Sequence, residues 1–95
     1  MKISKEIQKD IDIAVKILKK EGCSDIFLFG SHASGNANND SDIDLAVKGI
    51  TKGNFFKIYG QLIMALHHKV DLIDLNTNKA FAKHIFNSGN ILRVA

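Results

Sequence analysis

The chain has 95 residues, of which 45% are hydrophobic and 24% charged, and its formal net charge at pH 7 is +3. This composition is typical of a globular protein with a modest core and excludes a disordered or fibrous chain. No apolar run approaches the roughly 20 residues that a membrane span needs, and no signal peptide is expected. The single cysteine, Cys23, cannot form an internal disulfide, which is consistent with a cytoplasmic location. The lysines are spread along the chain, so we expect neither direct DNA binding nor membrane binding.

The first half of the chain predicts a helix, a strand and a loop. Apolar residues recur at helical spacing over residues 4–21, with Ser4 as the N-cap and Gly22 as the residue that ends the helix. The apolar run at residues 26–29 predicts a buried strand. Residues 31–41 contain glycine and asparagine, so they predict a turn and loop with at most one helical turn.

The second half predicts further alternation of strands and helices. We expect strands at 42–47 and 69–75, helices at 54–67 and 78–88, and a short strand or docked tail at 91–94. The link between the first two strands is too short for a parallel crossover with a full helix, which favours an antiparallel or mixed sheet. The predicted fold class is therefore α/β (α+β), with a small mixed sheet flanked by helices. We expect residues 1–95 to form a single domain.

Several side chains are interpreted as structural. We expect the helix at 54–67 to bury an apolar stripe, and the last helix to begin at a Thr77 cap. The loop residue His32 is expected to be exposed to solvent, and His67 and His68 to lie at a helix end, where they suit the helix dipole. The side chains expected in the core are Phe55, Ile58, Tyr59, Leu62, Ile63, Leu66, Phe81, Ile85 and Phe86.

Asp42 and Asp44 form an Asp-x-Asp pair on the second predicted strand. Alternate residues of a strand share one face, so these two carboxylates can reach one cation. Mg²⁺ accepts oxygen ligands from carboxylates and from substrate phosphates, and a third carboxylate would complete a two-metal site. Asp71 and Asp74 on the third strand are the candidates. We favour Asp71, because it lies within the strand, and interpret Asp74 as a strand-end carboxylate.

The residues Gly30 and Ser31 follow the first strand directly. Glycine lets the backbone approach a phosphate closely, and serine adds an N–H and a hydroxyl donor. A Gly-Ser turn or an Asp-x-Asp pair is weak evidence by itself. Their combination, separated by ten residues and followed by a strand with a further aspartate, is more specific.

This pattern resembles the minimal nucleotidyltransferases of the DNA polymerase beta superfamily, over residues 24–94. The resemblance implies transfer of a nucleoside monophosphate, AMP from ATP, to a hydroxyl group with release of pyrophosphate. It implies that Gly30 and Ser31 bind the nucleotide, and that the catalytic carboxylates Asp42, Asp44 and Asp71 bind two Mg²⁺ ions. Stand-alone family members are often antitoxins that modify a helical partner of the HEPN class. The sequence does not indicate which nucleotide or acceptor this chain uses.

One departure from the family pattern keeps other functions open. Many relatives have arginines in the turn where this chain has His32 and Ser34, and arginine binds phosphate in a bidentate manner. The chain could therefore be a binding module that neutralises a helical partner without turnover. Transfer to a small molecule, as in aminoglycoside-modifying relatives, is a third alternative. Because little sequence follows the core, we expect a partner protein or a homo-oligomer to supply the acceptor site.

Overall fold

The computed structural model describes residues 3–35, 37–38 and 41–95. Each predicted long helix and strand lies within two residues of its expected position, and the predicted loop at 31–41 begins with a single helical turn. Residues 36, 39 and 40 of that loop lie outside the described residues. The elements are α1 (Lys5–Lys20), β1 (Asp25–Phe29), α2 (Ser31–Ser34), β2 (Ile43–Lys48), α3 (Phe55–Ala65), β3 (Val70–Asp74), α4 (Lys79–Ser88) and β4 (Ile91–Arg93).

The strands form a mixed sheet with the order β3-β2-β1-β4. Strand β1 pairs in antiparallel fashion with β2 and β4, whereas β2 and β3 are parallel. The segment between β2 and β3 contains α3, which gives it the length that a parallel crossover needs. The predicted mixed sheet is confirmed, and its parallel pair places two acidic strands side by side.

The two faces of the sheet are covered unequally. The larger core lies where α1 and α3 pack against one face, and a smaller cluster of Phe27, Ala46 and Leu75 lies on the other, with Ala82 of α4 packed against it. Burial of this apolar surface is the main stabilising contribution to the fold. The fully buried large aliphatic side chains are Ile7, Ile11, Leu18, Ile26, Leu28, Ile43, Leu45, Ile58 and Leu62, together with Val47.

The ends of α1 agree with the sequence prediction, whereas the start of α4 does not. The Ser4 hydroxyl accepts a hydrogen bond from the Ile7 N–H at 3.3 Å. Gly22 has a φ of 92°, which is the left-handed conformation that glycine adopts readily where a helix ends. The predicted Thr77 cap is wrong, because Asn78 precedes α4 and the Thr77 hydroxyl donates instead to the Asp74 carbonyl at 3.4 Å.

Two of the predicted core side chains are exposed. Ile63 is 59% exposed, because it lies outside the buried face of α3, which is formed by Ile58 and Leu62. Phe86 is 43% exposed, and its ring packs edge-on against Phe27 at a centroid distance of 5.2 Å. None of the helices in the described part of the chain is long and apolar enough to cross a membrane.

Candidate active site

Three aspartates meet at the parallel pair of strands. Asp42 lies just before β2 and Asp44 lies within it, two residues further on. The register of the parallel strands pairs Asp44 with Asp71 of β3. Paired residues of neighbouring strands point to the same side of a sheet, so the tertiary structure brings together the three predicted carboxylates.

These carboxylates interact electrostatically. The pKa of Asp44 is raised to about 6, first by burial and then by the negative charges of Asp71 and Asp42, while His32 partly opposes the shift. Like charges held this close are unfavourable unless a proton or a cation neutralises them. The three aspartates therefore form a negatively charged, oxygen-rich cluster with a perturbed pKa, as is common at functional sites.

The Gly30–Ser31 turn lies directly against this cluster. Gly30 connects β1 to α2 with a φ of 73°. A Cβ atom at this position would overlap with Oδ2 of Asp44, closer than any real contact. Ser31 is half-buried and begins α2. The absence of a side chain at residue 30 therefore allows the turn and the carboxylate to occupy adjacent positions.

The prediction that His32 is exposed to solvent is wrong. The side chain is buried, with 6% exposure, and its Nε2 lies 3.1 Å from the carbonyl oxygen of Ser41. A carbonyl can only accept, so Nε2 is the nitrogen that donates. This bond ties α2 to the residue before Asp42. Ser34 is exposed, and its hydroxyl donates to the Ser31 carbonyl at 3.2 Å.

Tyr59 contributes a polar group to the site as well as packing. Its ring is half-buried, and its hydroxyl lies 2.9 Å from the Val70 carbonyl and 3.1 Å from Oδ1 of Asp71. Burial raises the pKa of Tyr59, and the hydrogen bond and the charge of Asp71 raise it further. The sequence interpretation treated this residue as core alone. The residue type could have predicted a polar contact, because the hydroxyl of a tyrosine that packs in a protein usually has a hydrogen-bond partner.

Asp10 is a buried residue that the sequence interpretation missed. Its carboxylate is fully buried on α1 and accepts the backbone N–H groups of His67 and His68, at 3.0 and 2.9 Å. It also accepts from both imidazole Nδ1 atoms, at 3.2 and 2.7 Å. Asp10 lies three residues after the buried Ile7 and four before Ala14, within the apolar stripe of α1. A charged residue at such a position was the available signal.

The hydrogen bonds of Asp10 determine its charge state. Burial alone would raise the pKa of this carboxyl, but the hydrogen bonds from His68 and His67 outweigh that effect and lower it. The sequence predicted that the two histidines lie at a helix end but did not predict Asp10 as their partner. The charged Asp10 carboxylate therefore joins α1 to the connection between α3 and β3, three residues before Asp71.

The contacts of Asp74 differ from those of the three clustered aspartates. Its Oδ1 accepts the backbone N–H of Asn76 at 2.9 Å, as a carboxylate at a strand end commonly does. A cleft of about 530 Å³ extends from Asp42, Asp71 and Tyr59 towards His67. Within the described ranges, no three histidine, cysteine, aspartate or glutamate side chains form a group that could hold a metal ion as they are arranged here. The metal-binding roles of Asp42, Asp44 and Asp71 thus stay a prediction.

Residues 15–94 match the family model described as "Polymerase beta, Nucleotidyltransferase". The chain belongs to this nucleotidyltransferase family. The matched range includes the Gly30–Ser31 turn and all three aspartates of the cluster, so the resemblance predicted from the motif is confirmed at the family level. No curated protein sequence shows significant similarity to this chain.

Solved structures of toxin–antitoxin complexes are similar to this nucleotidyltransferase chain. One is a toxin–antitoxin with AMP-PNP, with 31% identity and a TM-score of 0.58 over 77% of this chain and 59% of that one. Another is a tri-AMPylated Shewanella oneidensis HEPN toxin in complex with MNT antitoxin, with 28% identity and a TM-score of 0.55 over 73% of this chain and 56% of the other. The chain therefore spans less than two thirds of these neighbours.

A third neighbour supports the fold alone. It is a protein from Sulfolobus solfataricus, with 20% identity and a TM-score of 0.52 over 97% of this chain and 87% of that one. Its near-complete overlap agrees with the mixed sheet and helices described above.

Proposed function

We propose that this chain is a Mg²⁺-dependent nucleotidyltransferase that transfers AMP from ATP to a hydroxyl group of a partner protein. The observation that carries this proposal is the contact between the Gly30 turn and the cluster of Asp42, Asp44 and Asp71. Nucleotidyl transfer depends on positioning and charge stabilisation. A glycine turn that can bind phosphate, next to a cluster of carboxylates, can provide both. The solved neighbours with AMP-PNP and with an AMPylated toxin support the nucleotide and the acceptor class.

The chemistry of the cluster suits Mg²⁺. Carboxylate oxygens are the ligands that this cation prefers. Burial and then the charges of Asp71 and Asp42 disfavour the ionised form of Asp44 and raise its pKa, and a bound cation would offset both effects. Asp42 and Asp44 would hold both ions, and Asp71 would hold the one beside the acceptor. When bound, the ions supply charge neutralisation on the phosphates and a lower pKa for the attacking hydroxyl.

The protein groups have separate tasks in the proposed reaction. Gly30 allows the backbone of the turn to lie against Asp44, and Ser31 offers its N–H and hydroxyl to phosphate oxygens. Asp71 accepts the proton of the acceptor hydroxyl. The acceptor oxygen forms a bond to the α-phosphorus, the bond from that phosphorus to the pyrophosphate oxygen breaks, and pyrophosphate leaves.

The proposed partner is a helical HEPN-type toxin, with this chain as the antitoxin, and the proposed location is the cytoplasm. The complexes formed by the solved neighbours support the partner class. The lone Cys23, which is buried and reduced, is compatible with the cytoplasm. A partner or a second copy of the chain would provide the binding surface for the acceptor.

The test combines the purified chain, a HEPN-type partner, Mg²⁺ and ATP labelled in its α-phosphate. We expect the partner to gain label and the mass of AMP. Asp71→Asn should reduce the rate at least about 100-fold, which is more than the loss of a hydrogen-bond partner of a metal ligand causes. Asp74→Asn is the matched control and should retain nearly the full rate. A wild-type chain that binds the partner but leaves it unlabelled would contradict the enzymatic function.

A neutralising module without turnover is the second candidate. It is favoured by His32, which is directed to the Ser41 carbonyl, and by Ser34, which gives the turn no positive charge. In this case Asp42→Asn would still suppress the activity of the partner in full. Loss of suppression in that variant, together with loss of AMP transfer, would exclude the module.

A further inference from the structure

The Tyr59 hydroxyl faces two acceptors on consecutive residues of β3. The Val70 carbonyl is 2.9 Å away and Oδ1 of Asp71 is 3.1 Å away. A phenol has one proton to donate, so it can satisfy one of these acceptors fully at a time. The hydroxyl therefore has an alternative acceptor whenever the Asp71 oxygen is engaged elsewhere.

The ring that presents this hydroxyl is fixed in place. It packs edge-on against Phe55 at a centroid distance of 5.8 Å, one turn earlier on α3. The neighbouring Ile58 and Leu62 of the same helix are fully buried in the larger core. Because its helix is anchored and its ring is packed, the hydroxyl needs little reordering to contact Asp71.

The Asp71 carboxylate has reason to need such a donor. Asp71 is exposed on β3, where the strand register pairs it with Asp44, so the negative charges of Asp44 and of Asp42, two residues before it, lie close by. Repulsion from those charges favours rotation of the Asp71 side chain away from them, towards water. A hydrogen bond from a fixed neutral donor opposes that rotation without adding charge.

We propose that Tyr59 is a positioning residue that holds the Asp71 carboxylate in the cluster until a cation binds. When a cation takes Oδ1, the hydroxyl donates to the Val70 carbonyl, so no polar group loses its partner. The inference deepens the proposed function and rests on it for the role of Asp71. It assigns to α3 a direct part in assembling the site.

Tyr59→Phe tests the inference, since it removes the hydroxyl and keeps the ring. Mn²⁺ serves as the probe for Mg²⁺, and its binding is followed by electron paramagnetic resonance with a non-hydrolysable ATP analogue present. We expect about 10-fold weaker Mn²⁺ binding, as for loss of a hydrogen-bond partner of a metal ligand. AMP transfer should be slower at limiting Mg²⁺ and regain the wild-type kcat at saturating Mg²⁺, with the KM for ATP within about 2-fold. Ser88→Ala removes another hydroxyl that donates to a main-chain carbonyl, on α4, and should change none of these values.

A double-mutant cycle separates positioning from general loss of structure. In the Asp71→Asn background, Tyr59→Phe should cause no further loss of Mn²⁺ binding, because the carboxylate that it positions is gone. Unchanged Mn²⁺ affinity in Tyr59→Phe, or no Mn²⁺ binding by the wild-type chain, would overturn the inference. AMP attached to Tyr59 itself, seen by intact mass, would also overturn it. Weaker Mn²⁺ binding in a chain that transfers no AMP would refute the proposed function and leave the inference intact.

Discussion

Gly30 and Asp44 lie far apart in the sequence and fit together at the scale of single atoms. The glycine has a positive φ, and its missing side chain leaves the space that the Asp44 carboxylate fills. Two separate constraints, backbone conformation and contact, therefore act at one residue. Either alone would favour glycine, and a control residue can distinguish them.

Gly30→Ala and Gly53→Ala form a matched pair of variants. Gly53 has a φ of 88°, and no atom lies within 4 Å of the point that a Cβ atom would occupy there, so its substitution introduces backbone strain alone. We expect Gly53→Ala to lose about 1–2 kcal/mol of stability by urea unfolding. Gly30→Ala should lose more, because its φ of 73° and ψ of −152° lie in a region that essentially only glycine adopts and because its Cβ would overlap with Asp44. Gly30→Ala should in addition displace Asp44 and reduce the rate of AMP transfer more than about 10-fold. Equal transfer rates in the two variants would contradict the proposed contact.

At the scale of elements, the short helix α2 lacks arginine at two positions where many relatives have it, and one of these positions is buried while the other is exposed. His32 is buried against the Ser41 carbonyl, whereas Ser34 is exposed. The two positions should therefore respond differently to the same residue, although the family resemblance treats them alike.

Ser34→Arg should be tolerated and should lower the KM for ATP several-fold, because a guanidinium beside the turn can bind phosphate oxygens. His32→Arg should lower the unfolding free energy by about 1–3 kcal/mol, because a larger charged side chain enters a packed position. Steady-state kinetics and urea unfolding of both variants measure these effects. A fully stable His32→Arg chain would show that the position can open to solvent.

The buried Asp10 acts at the same scale, because it connects α1 to the α3–β3 connection. Asp10→Ala leaves the backbone N–H groups of His67 and His68 without their acceptor, so we expect a loss of at least about 2 kcal/mol in urea unfolding. The control Asp12→Ala removes an exposed carboxylate that accepts from Gln8, and it should change stability by less than about 0.5 kcal/mol. Similar losses in the two variants would refute a connecting role for Asp10.

The Asp10 carboxylate also predicts a pH dependence of stability. Its pKa is lower in the folded chain than in the unfolded chain, so at acidic pH the unfolded state binds more protons. Its stabilising contribution is fully present above the unfolded pKa of about 3.9 and is lost as the pH falls through the lower folded value. Unfolding free energies measured from about pH 6 downwards should converge for wild-type and Asp10→Ala at the acidic end. A constant difference at all pH values would contradict this.

At the scale of the whole molecule, the sheet has a thick and a thin side. Leu28 is fully buried in the larger core beneath α1 and α3, and Leu75 is buried in the small cluster on the opposite face. Leu28→Ala should reduce the unfolding free energy by an amount near the upper part of the roughly 2–5 kcal/mol range, since its well-packed surroundings relax little around a cavity. Leu75→Ala should lie near the lower part. Urea unfolding of the pair compares the two faces, and a larger loss for Leu75→Ala would reverse this view.

The sequence alone determined the order of the elements and predicted which residues form the candidate site. The periodicity of apolar residues predicted the helices and strands, and the short link before Asp42 predicted the sheet type. Spacing and residue type predicted Gly30, Ser31, Asp42, Asp44 and Asp71, because turn geometry and cation binding restrict which residues can serve. These are local properties, readable within a few residues or from a motif.

Only the tertiary structure decided which polar side chains meet across the chain. The contacts of Asp10 with His67 and His68, of Tyr59 with Asp71, and of His32 with Ser41 join separate elements. Their partners depend on the packing angle of helices and on sheet register, which no local pattern encodes. The pairing of Asp44 with Asp71 shows the same division: the sequence supplied the two carboxylates, and the parallel register of β2 and β3 placed them together.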